Sequence, residues 1–387
     1  METGRFQRKA ACYGRRTTDH KLRTAFTLVE LLVVITIIGI LAALITVAAV
    51  GALRRAREAE VKAEIDQIDT AIEEYKNKAT SYPPNCQIDD QIIGATEPPD
   101  EPLSEQQILN DLKRHLKQAF PRHQESENLL RVIAGLQATG SDAGQYTSVL
   151  AGGMSAGEAL VFWLGGFSSD PKYPISGEGG PSYPVAGITA ADQAKADPIE
   201  TRKWVFPFDV GRLRPRDDAG YFDQTDNRFI VYTDRNDVVR RINFWQYVPR
   251  KSEQPYLYFD TSRHPAAEKS GAAVSSAFDP PAATLLNPNA LHVHAFKKAH
   301  PNYTAGGIYP PIQFVNPEKF QVIHCGIDDE WHEEAFERMS VHGVEALPLP
   351  TDEVESYLLF PDGPFIGEIA DTIVNFSPVT RVEDAQP

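Results

Sequence analysis

The segment Ala25-Phe26-Thr27-Leu28-Val29-Glu30 and the apolar run from Leu31 to Leu53 that follows it decide how this chain is organised. The run contains no charged residue for 23 positions. As a helix rising ~1.5 Å per residue it reaches about 34 Å, enough to cross a hydrocarbon core of about 30 Å. No other stretch of the sequence is apolar enough to do so, which excludes a multi-span membrane protein.

The residues before this run are strongly basic. Two acidic side chains, Glu2 and Asp19, are outnumbered by Arg5, Arg8, Lys9, Arg15, Arg16, Lys21 and Arg23, so residues 1–25 carry a net charge of +5. Cations that flank a lone apolar helix stay in the cytoplasm, so the chain after about residue 54 is expected on the outer side. Arg54, Arg55 and Arg57 oppose this rule, but they are fewer and are diluted by Glu58 and Glu60.

Two simpler interpretations of the segment are a secretory signal peptide and a plain signal anchor. The run is longer than a usual signal-peptide core, and no small-x-small cleavage site follows it. A plain anchor explains every feature except Glu30. Because a carboxylate near the start of a membrane helix is costly, it needs a partner or a function.

The ten residues Phe26-Thr27-Leu28-Val29-Glu30-Leu31-Leu32-Val33-Val34-Ile35 closely resemble the N-terminal signature of type IV prepilins and type II secretion pseudopilins. The resemblance implies that a prepilin peptidase cuts between Ala25 and Phe26 and methylates the new amine of Phe26. It also implies that Glu30 attracts the N-terminal amine of a neighbouring subunit. The family usually has Gly before the cut, where this chain has Ala25, and a leader of 25 residues is long for the family.

The physical chemistry of such a pairing is consistent with assembly. Cleavage creates a cation, and a buried cation beside a buried anion costs less than either charge alone. Both charges therefore persist only when subunits pair, which couples extraction from the membrane to assembly.

The helix is predicted to continue beyond the membrane. Residues 54–78 contain no Gly or Pro, and their apolar side chains recur at intervals of 4, 3, 4 and 3, which is typical of a helix with one buried face. These side chains are Val61, Ile65, Ile68, Ile72 and Tyr75. We therefore predict one helix over 27–78, and a chain divided into a cleaved basic leader (1–25), a transmembrane and fibre-core helix (26–53), its amphipathic continuation (54–78) and an outer globular domain (79–387). The stretch 68–75, followed by Tyr82-Pro83, resembles the major pseudopilin of type II secretion systems.

The outer domain has an α+β pattern. Helices are predicted over about 104–119, over 126–137 and after Ser155 as far as Leu164. Strands are predicted over 229–232, 238–248, 256–259 and 320–324, with a hairpin between the first two. The expected fold is pilin-like: one long N-terminal helix packed on a mainly antiparallel sheet, with extra helices and long loops.

Catalytic chemistry is only weakly indicated. Gly153-Met154-Ser155-Ala156-Gly157 matches the nucleophile elbow of hydrolases, but Ser155 with Glu158 also forms a capping box at a helix start. We favour the cap and expect no enzymatic activity. A membrane-anchored envelope enzyme, with the helix as a tether, is the alternative.

Three groups of residues contain types that can bind a metal ion. His292, His294 and His300 lack an acidic or Cys partner at a telling distance and are interpreted as surface histidines. The group His324, Cys325 and His332 is interpreted in the same way. Calcium has more support. The turn Gly326-Ile327-Asp328-Asp329 and the segment 371–376 resemble two parts of the calcium loop of major pseudopilins. The resemblance implies Asp328 and Asp371 as ligands. About forty residues separate the two parts here, whereas only a few separate them in the family. The alternative is that both aspartates only stabilise turns. No other cofactor is expected, and no disulfide is predicted for Cys86 and Cys325.

Charge and resemblance together define the expected partners and location. The chain has a net charge of −15, so without its leader it carries −20, which disfavours nucleic acid. The resemblance implies a prepilin peptidase, other copies of this chain, other pseudopilins and an inner-membrane assembly platform as partners. It places the protein in the bacterial inner membrane with a cytoplasmic N-terminus and a periplasmic outer domain, and then in a filament.

Overall fold

The computed structural model describes most of the chain between Thr27 and Gln386. The described ranges are 27–84, 103–148, 153–189, 195–215, 228–262, 295–299, 312–329 and 367–386, with short pieces at 88–89, 192–193, 278–279, 301, 360–362 and 365. The chain divides into two compact units, Met1–Leu53 and Arg54–Pro387.

The helices follow the sequence pattern closely. They are α1 (Leu28–Ala79), α2 (Leu103–Ala119), α3 (Glu127–Ile133) and α4 (Ala156–Leu164). The predicted helix over 27–78 is confirmed to within one residue at each end. It ends where Thr80 adopts a left-handed φ of 72°, just before Tyr82-Pro83-Pro84, which cannot continue a helix.

The described strands are short and pair only antiparallel. They are β1 (Ile88–Asp89), β2 (Tyr146–Ser148), β3 (Ser182–Pro184), β4 (Leu213–Arg214), β5 (Phe229–Thr233), β6 (Val239–Asn243), β7 (Gln246–Tyr247), β8 (Leu257–Phe259), β9 (Phe278–Asp279), β10 (Lys297–Ala299), β11 (Ile312–Phe314), β12 (Gln321–His324) and β13 (Ile373–Val374). The sheets have the orders β2-β5-β6-β3, β13-β12-β8, β4-β7, β1-β9 and β10-β11. The α+β pilin-like arrangement is confirmed, with several small sheets in place of one.

The predicted strand over 238–248 is wrong in its length. Its first part, β6, pairs with β5 as the expected hairpin, in the register Phe229↔Asn243. The chain then leaves this sheet at Phe244 and Trp245, and β7 pairs with β4 in another sheet. The side chain of Phe244 is buried against Phe162 of α4, so core packing interrupts what periodicity presents as one run.

The amphipathic part of α1 packs on this core through the predicted stripe. Ile65, Ile68 and Ile72 are completely buried, and Val61 and Tyr75 nearly so. Full burial of one such side chain contributes about 1.5–3 kcal/mol. The confirmed stripe therefore explains why the helix and the outer domain fold together.

One carboxylate joins α1 to the sheets. Glu64 accepts hydrogen bonds from both terminal nitrogens of Arg212, at 2.7 and 2.5 Å, and from the phenols of Tyr247 and Tyr256. Burial alone would raise its pKa, but these donors outweigh burial and hold the pKa of Glu64 below its usual range. The apolar periodicity predicted the stripe but gave no indication of the role of Glu64 beside it.

Candidate functional site

The first candidate site is the start of α1. The backbone N–H and the hydroxyl of Thr27 donate to Glu30 Oε2 at 2.8 and 2.9 Å, and the Glu30 N–H donates back to Thr27 Oγ1 at 3.2 Å. This reciprocal pair is a capping box that satisfies N–H groups at the helix start. Its signal, Thr-x-x-Glu, was readable in the sequence and was missed.

The capping box changes how Glu30 must be tested. Its carboxylate has a role within its own chain, so removing the side chain would alter the helix start as well as any contact with a neighbour. The predicted cleavage residues Ala25 and Phe26 lie outside the described residues, and their role remains a prediction.

The surface of α1 from Leu31 to Leu53 carries no charged residue. Every residue from Thr27 to Arg57 is exposed, including Leu28 at 79% and Val47 at 75%. Among the described residues, α1 is the one helix long and apolar enough to cross a membrane, judged by length and composition. Such a surface requires lipid or other protein around it.

The second candidate site lies where β12 ends and β13 begins. The register His324↔Ile373 places the turn after β12 beside the residues that precede β13. Antiparallel pairing therefore brings Asp328 close to Asp371, even though more than forty residues separate them. Burial, and then the nearby Asp328, raise the pKa of Asp371 to about 6.

Gly326 is required by the close packing of this turn. It has a φ of 112°, and a Cβ there would lie 2.5 Å from Cγ of Asp371. The Ile327 N–H donates to Asp371 Oδ2 at 3.4 Å, whereas Oδ1 is buried with no hydrogen-bond partner among the described atoms. A buried carboxylate oxygen without a donor is costly and favours a nearby cation.

Arg54 supplies part of that positive charge, and Glu58 joins it to a second arginine. Arg54 lies 3.4 Å from Asp371 Oδ2 and 3.3 Å from Glu58 Oε1, and Arg381 lies 3.9 Å from Glu58 Oε2. Glu58 is only 5% exposed and continues the spacing of the apolar stripe, three residues before Val61. Glu58 therefore pairs directly with Arg54, one of the arginines whose charge it was expected to dilute, and does so from a buried position that the sequence did not indicate.

A third group, His324, Cys325 and Asp329, has its potential ligand atoms within 4.8 Å of one another. Both imidazole nitrogens are already engaged, Nδ1 by the Gly326 N–H at 3.1 Å and Nε2 by the Gln254 carbonyl at 3.2 Å. Burial lowers the pKa of His324 to about 4 and raises the pKa of the Cys325 thiol. His324 is therefore a buried, hydrogen-bonded core histidine, and its interpretation as a surface histidine is wrong.

The remaining residues named from the sequence are a serine, two cysteines and four histidines. Ser155 is the N-cap of α4, and its capping box with Glu158 is confirmed. Its hydroxyl oxygen accepts from Glu158 N–H and from Gln246 Nε2, and neither group can take up a proton as a catalytic base would. Cys325 is a free, buried thiol. Cys86, His292, His294, His300 and His332 lie outside the described residues.

Comparison with known proteins identifies the N-terminal segment. Residues 21–46 match the family model described as the prokaryotic N-terminal methylation motif. Searches among curated proteins and among solved structures returned no match. The match spans the predicted cut, Glu30 and the first part of α1, and it supports a type IV prepilin-like chain that is processed by a prepilin peptidase.

Proposed function

We propose that this protein is a non-enzymatic, pilin-like structural subunit that assembles into a type II secretion pseudopilus or a related type IV filament. The observation that carries the proposal is the combination of the methylation motif at residues 21–46 with a carboxylate, Glu30, directly before the exposed apolar part of α1. In the membrane that helix is surrounded by lipid, and in a filament it is surrounded by other copies of itself. The amine of Phe26 and the carboxylate of a neighbour neutralise each other there.

The test is a set of three substitutions that separates charge from helix capping. In Glu30→Gln the amide oxygen can still accept from the Thr27 N–H, but the negative charge is lost. Glu30→Ala loses both, and Thr27→Val keeps the charge while it removes the hydroxyl from the capping box. The measurement is the fraction of subunit recovered in sheared filaments from cells that carry the assembly apparatus.

We expect both Glu30 variants to lose assembly by at least about tenfold, because an unpaired buried amine costs several kcal/mol. Thr27→Val should assemble nearly as well as the parent. If Glu30→Gln assembles like the parent, charge pairing is not the role of Glu30, and a tethered envelope protein becomes the better account.

Calcium binding by Asp328 and Asp371 is a second part of the proposal. It is supported by the juxtaposition of the two carboxylates, by the raised pKa of Asp371 and by its buried, unpartnered Oδ1. Hard carboxylate oxygens are the ligands that Ca²⁺ prefers. When bound, the ion would neutralise the repulsion between the two side chains and hold the Gly326 turn against β13.

The calcium test is thermal unfolding of the detergent-solubilised chain with EDTA, Ca²⁺ or Mg²⁺. At a concentration about 100 times the Kd, Ca²⁺ should stabilise the parent by about 2.7 kcal/mol. Asp328→Asn should abolish the shift, whereas Asp142→Asn, an exposed carboxylate elsewhere, should keep it. A parent that unfolds at the same temperature in EDTA and in Ca²⁺ contradicts this part of the proposal.

A further inference from the structure

Two of the three arginines directly after the apolar run have no role in the function proposed so far. Arg54, Arg55 and Arg57 lie on the side of the membrane where flanking cations are disfavoured. Arg54 is engaged by Glu58 and Asp371. Arg55 and Arg57 are exposed, and neither forms an ion pair among the described residues.

A loop from the outer domain adds two more cations beside Arg57. The loop is the turn Pro249–Ser252, and its residues line one small cavity together with Arg57 and Glu60. Arg250 and Lys251 also line an adjoining cavity of about 660 Å³, to which Arg212 and Arg214 contribute. Both loop side chains are exposed and have no ion pair among the described residues.

The loop has a defined conformation. Lys251 has a φ of 63°, in the left-handed region that L-residues other than Asn and Asp adopt rarely. The Ser252 N–H donates to the Pro249 carbonyl at 3.3 Å, and the Ser252 hydroxyl donates to Asp329. The fold therefore holds this backbone in an unfavourable conformation at the position where Lys251 is presented.

The carboxylates nearby are largely engaged elsewhere. Glu64 is held by Arg212, Asp329 accepts from Ser252, and Asp209 accepts from the Gly211 N–H. Glu60 and Glu253 also line these cavities and are exposed. The three cations Arg57, Arg250 and Lys251 outnumber these two exposed carboxylates, so the cluster keeps a net positive charge that an anion from outside the chain can neutralise.

Position along the chain identifies that anion. Arg57 follows Leu53, the last residue of the apolar run, by four positions, which is about 6 Å along a helix. A bilayer of about 40–45 Å with a core of about 30 Å has about 5–7.5 Å of headgroups on each side. If the apolar run spans the core, Arg57 lies at the depth of the lipid phosphates, and long cationic side chains reach such phosphates easily.

We propose that Arg57, Arg250 and Lys251 form a binding site for the phosphate of an anionic phospholipid at the outer surface of the membrane that the apolar segment spans. The proposal rests on the membrane anchoring in the proposed function and does not depend on filament assembly. The bound headgroup fixes the folded domain at the bilayer surface and accounts for cations on the side that the charge rule disfavours.

The experiment compares lipid selectivity in the full chain and in Arg57→Gln/Arg250→Gln/Lys251→Gln. Each protein is reconstituted in nanodiscs of phosphatidylcholine with spin-labelled phosphatidylglycerol or spin-labelled phosphatidylcholine, and the motionally restricted fraction of each label is measured. The parent should prefer the anionic label severalfold, since each surface cation is worth up to about fivefold. The preference should disappear in the triple variant and weaken at high salt.

The control removes three cations from other exposed positions, in Lys117→Gln/Arg122→Gln/Lys172→Gln, and should retain the preference. Circular dichroism checks that each variant is folded. Equal selectivity in the parent and in the loop variant overturns the proposal, and selectivity lost equally in both variants shows a diffuse charge effect and overturns it too. A parent that fails to enter nanodiscs at all overturns the membrane anchoring itself, which is a different result from a failure of selectivity.

Discussion

At the scale of single residues, the structure distinguishes charges that the fold uses from charges that it only tolerates. Glu64 is surrounded by donors, and its pKa is lowered in spite of burial. Asp371 is also buried but has one oxygen without a donor, and its pKa is raised to about 6. A buried carboxylate therefore stabilises the fold at Glu64 and leaves an unsatisfied oxygen at Asp371. A cation bound at Asp371 would satisfy that oxygen.

His324 gives a prediction for the pH dependence of stability. Its pKa is about 4 in the folded protein, against an ordinary value of about 6.5, because the ring is fully buried. Between these values the unfolded chain binds a proton that the folded chain does not. His324 should therefore lower the stability as pH falls from about 6.5 to about 4, by roughly 3 kcal/mol.

The measurement is the free energy of urea unfolding at several pH values for the parent and for His324→Gln in detergent. Asp371 acts in the opposite direction, because its raised pKa favours the folded state as pH falls from about 6. Since both proteins contain Asp371, the difference between their unfolding free energies isolates the contribution of His324. The unfolding free energy of the variant should fall less steeply than that of the parent between pH 6.5 and pH 4. Parallel curves for the two proteins would show that the buried ring titrates normally.

At the scale of elements, the sequence predicts helices well and strands poorly. The stripe on α1 is local information, since a 3.6-residue period is complete within one helix. Strands of two to five residues carry little period, and their partners lie far along the chain, as with β12 and β13. The neighbours Asp328 and Asp371 were predicted only from a resemblance, because no local pattern reports the register that joins them. The Glu64–Arg212 and Arg54–Asp371 contacts likewise join residues far apart along the chain, and they were missed.

The burial of the apolar stripe predicts that shortening one of its side chains will strongly destabilise the outer domain. Ile68→Ala removes a completely buried side chain from α1 and should destabilise the outer domain by about 2–5 kcal/mol. Glu74→Ala on the exposed face breaks only the Glu74–Lys78 pair and should cost about 0.3–0.5 kcal/mol. Urea unfolding compares the two. A similar loss from both would mean that the stripe does not carry the packing of this helix.

At the scale of the whole molecule, the chain carries opposite charge in its parts. The basic leader is followed by a chain of net charge −20, and the methylation motif at residues 21–46 covers their junction. In the proposed processing, removal of the leader would exchange its seven cations for a single amine on Phe26. Glu30 would gain a counterion from another copy of the chain only after this exchange.

Processing is therefore the event on which the whole-molecule proposal depends, and mass spectrometry of the membrane fraction tests it. We expect a mature N-terminus at N-methylated Phe26. Ala25 departs from the usual Gly, so Ala25→Gly should be cut at least as fast as the parent. Ala25→Leu places a bulky side chain at the cut and should accumulate with its leader. Each mature chain should lose a net charge of +5 with the leader, which isoelectric focusing can follow independently. An intact leader on the parent in cells that contain the peptidase would reduce Glu30 to its capping role and the helix to an anchor, whatever the motif resembles.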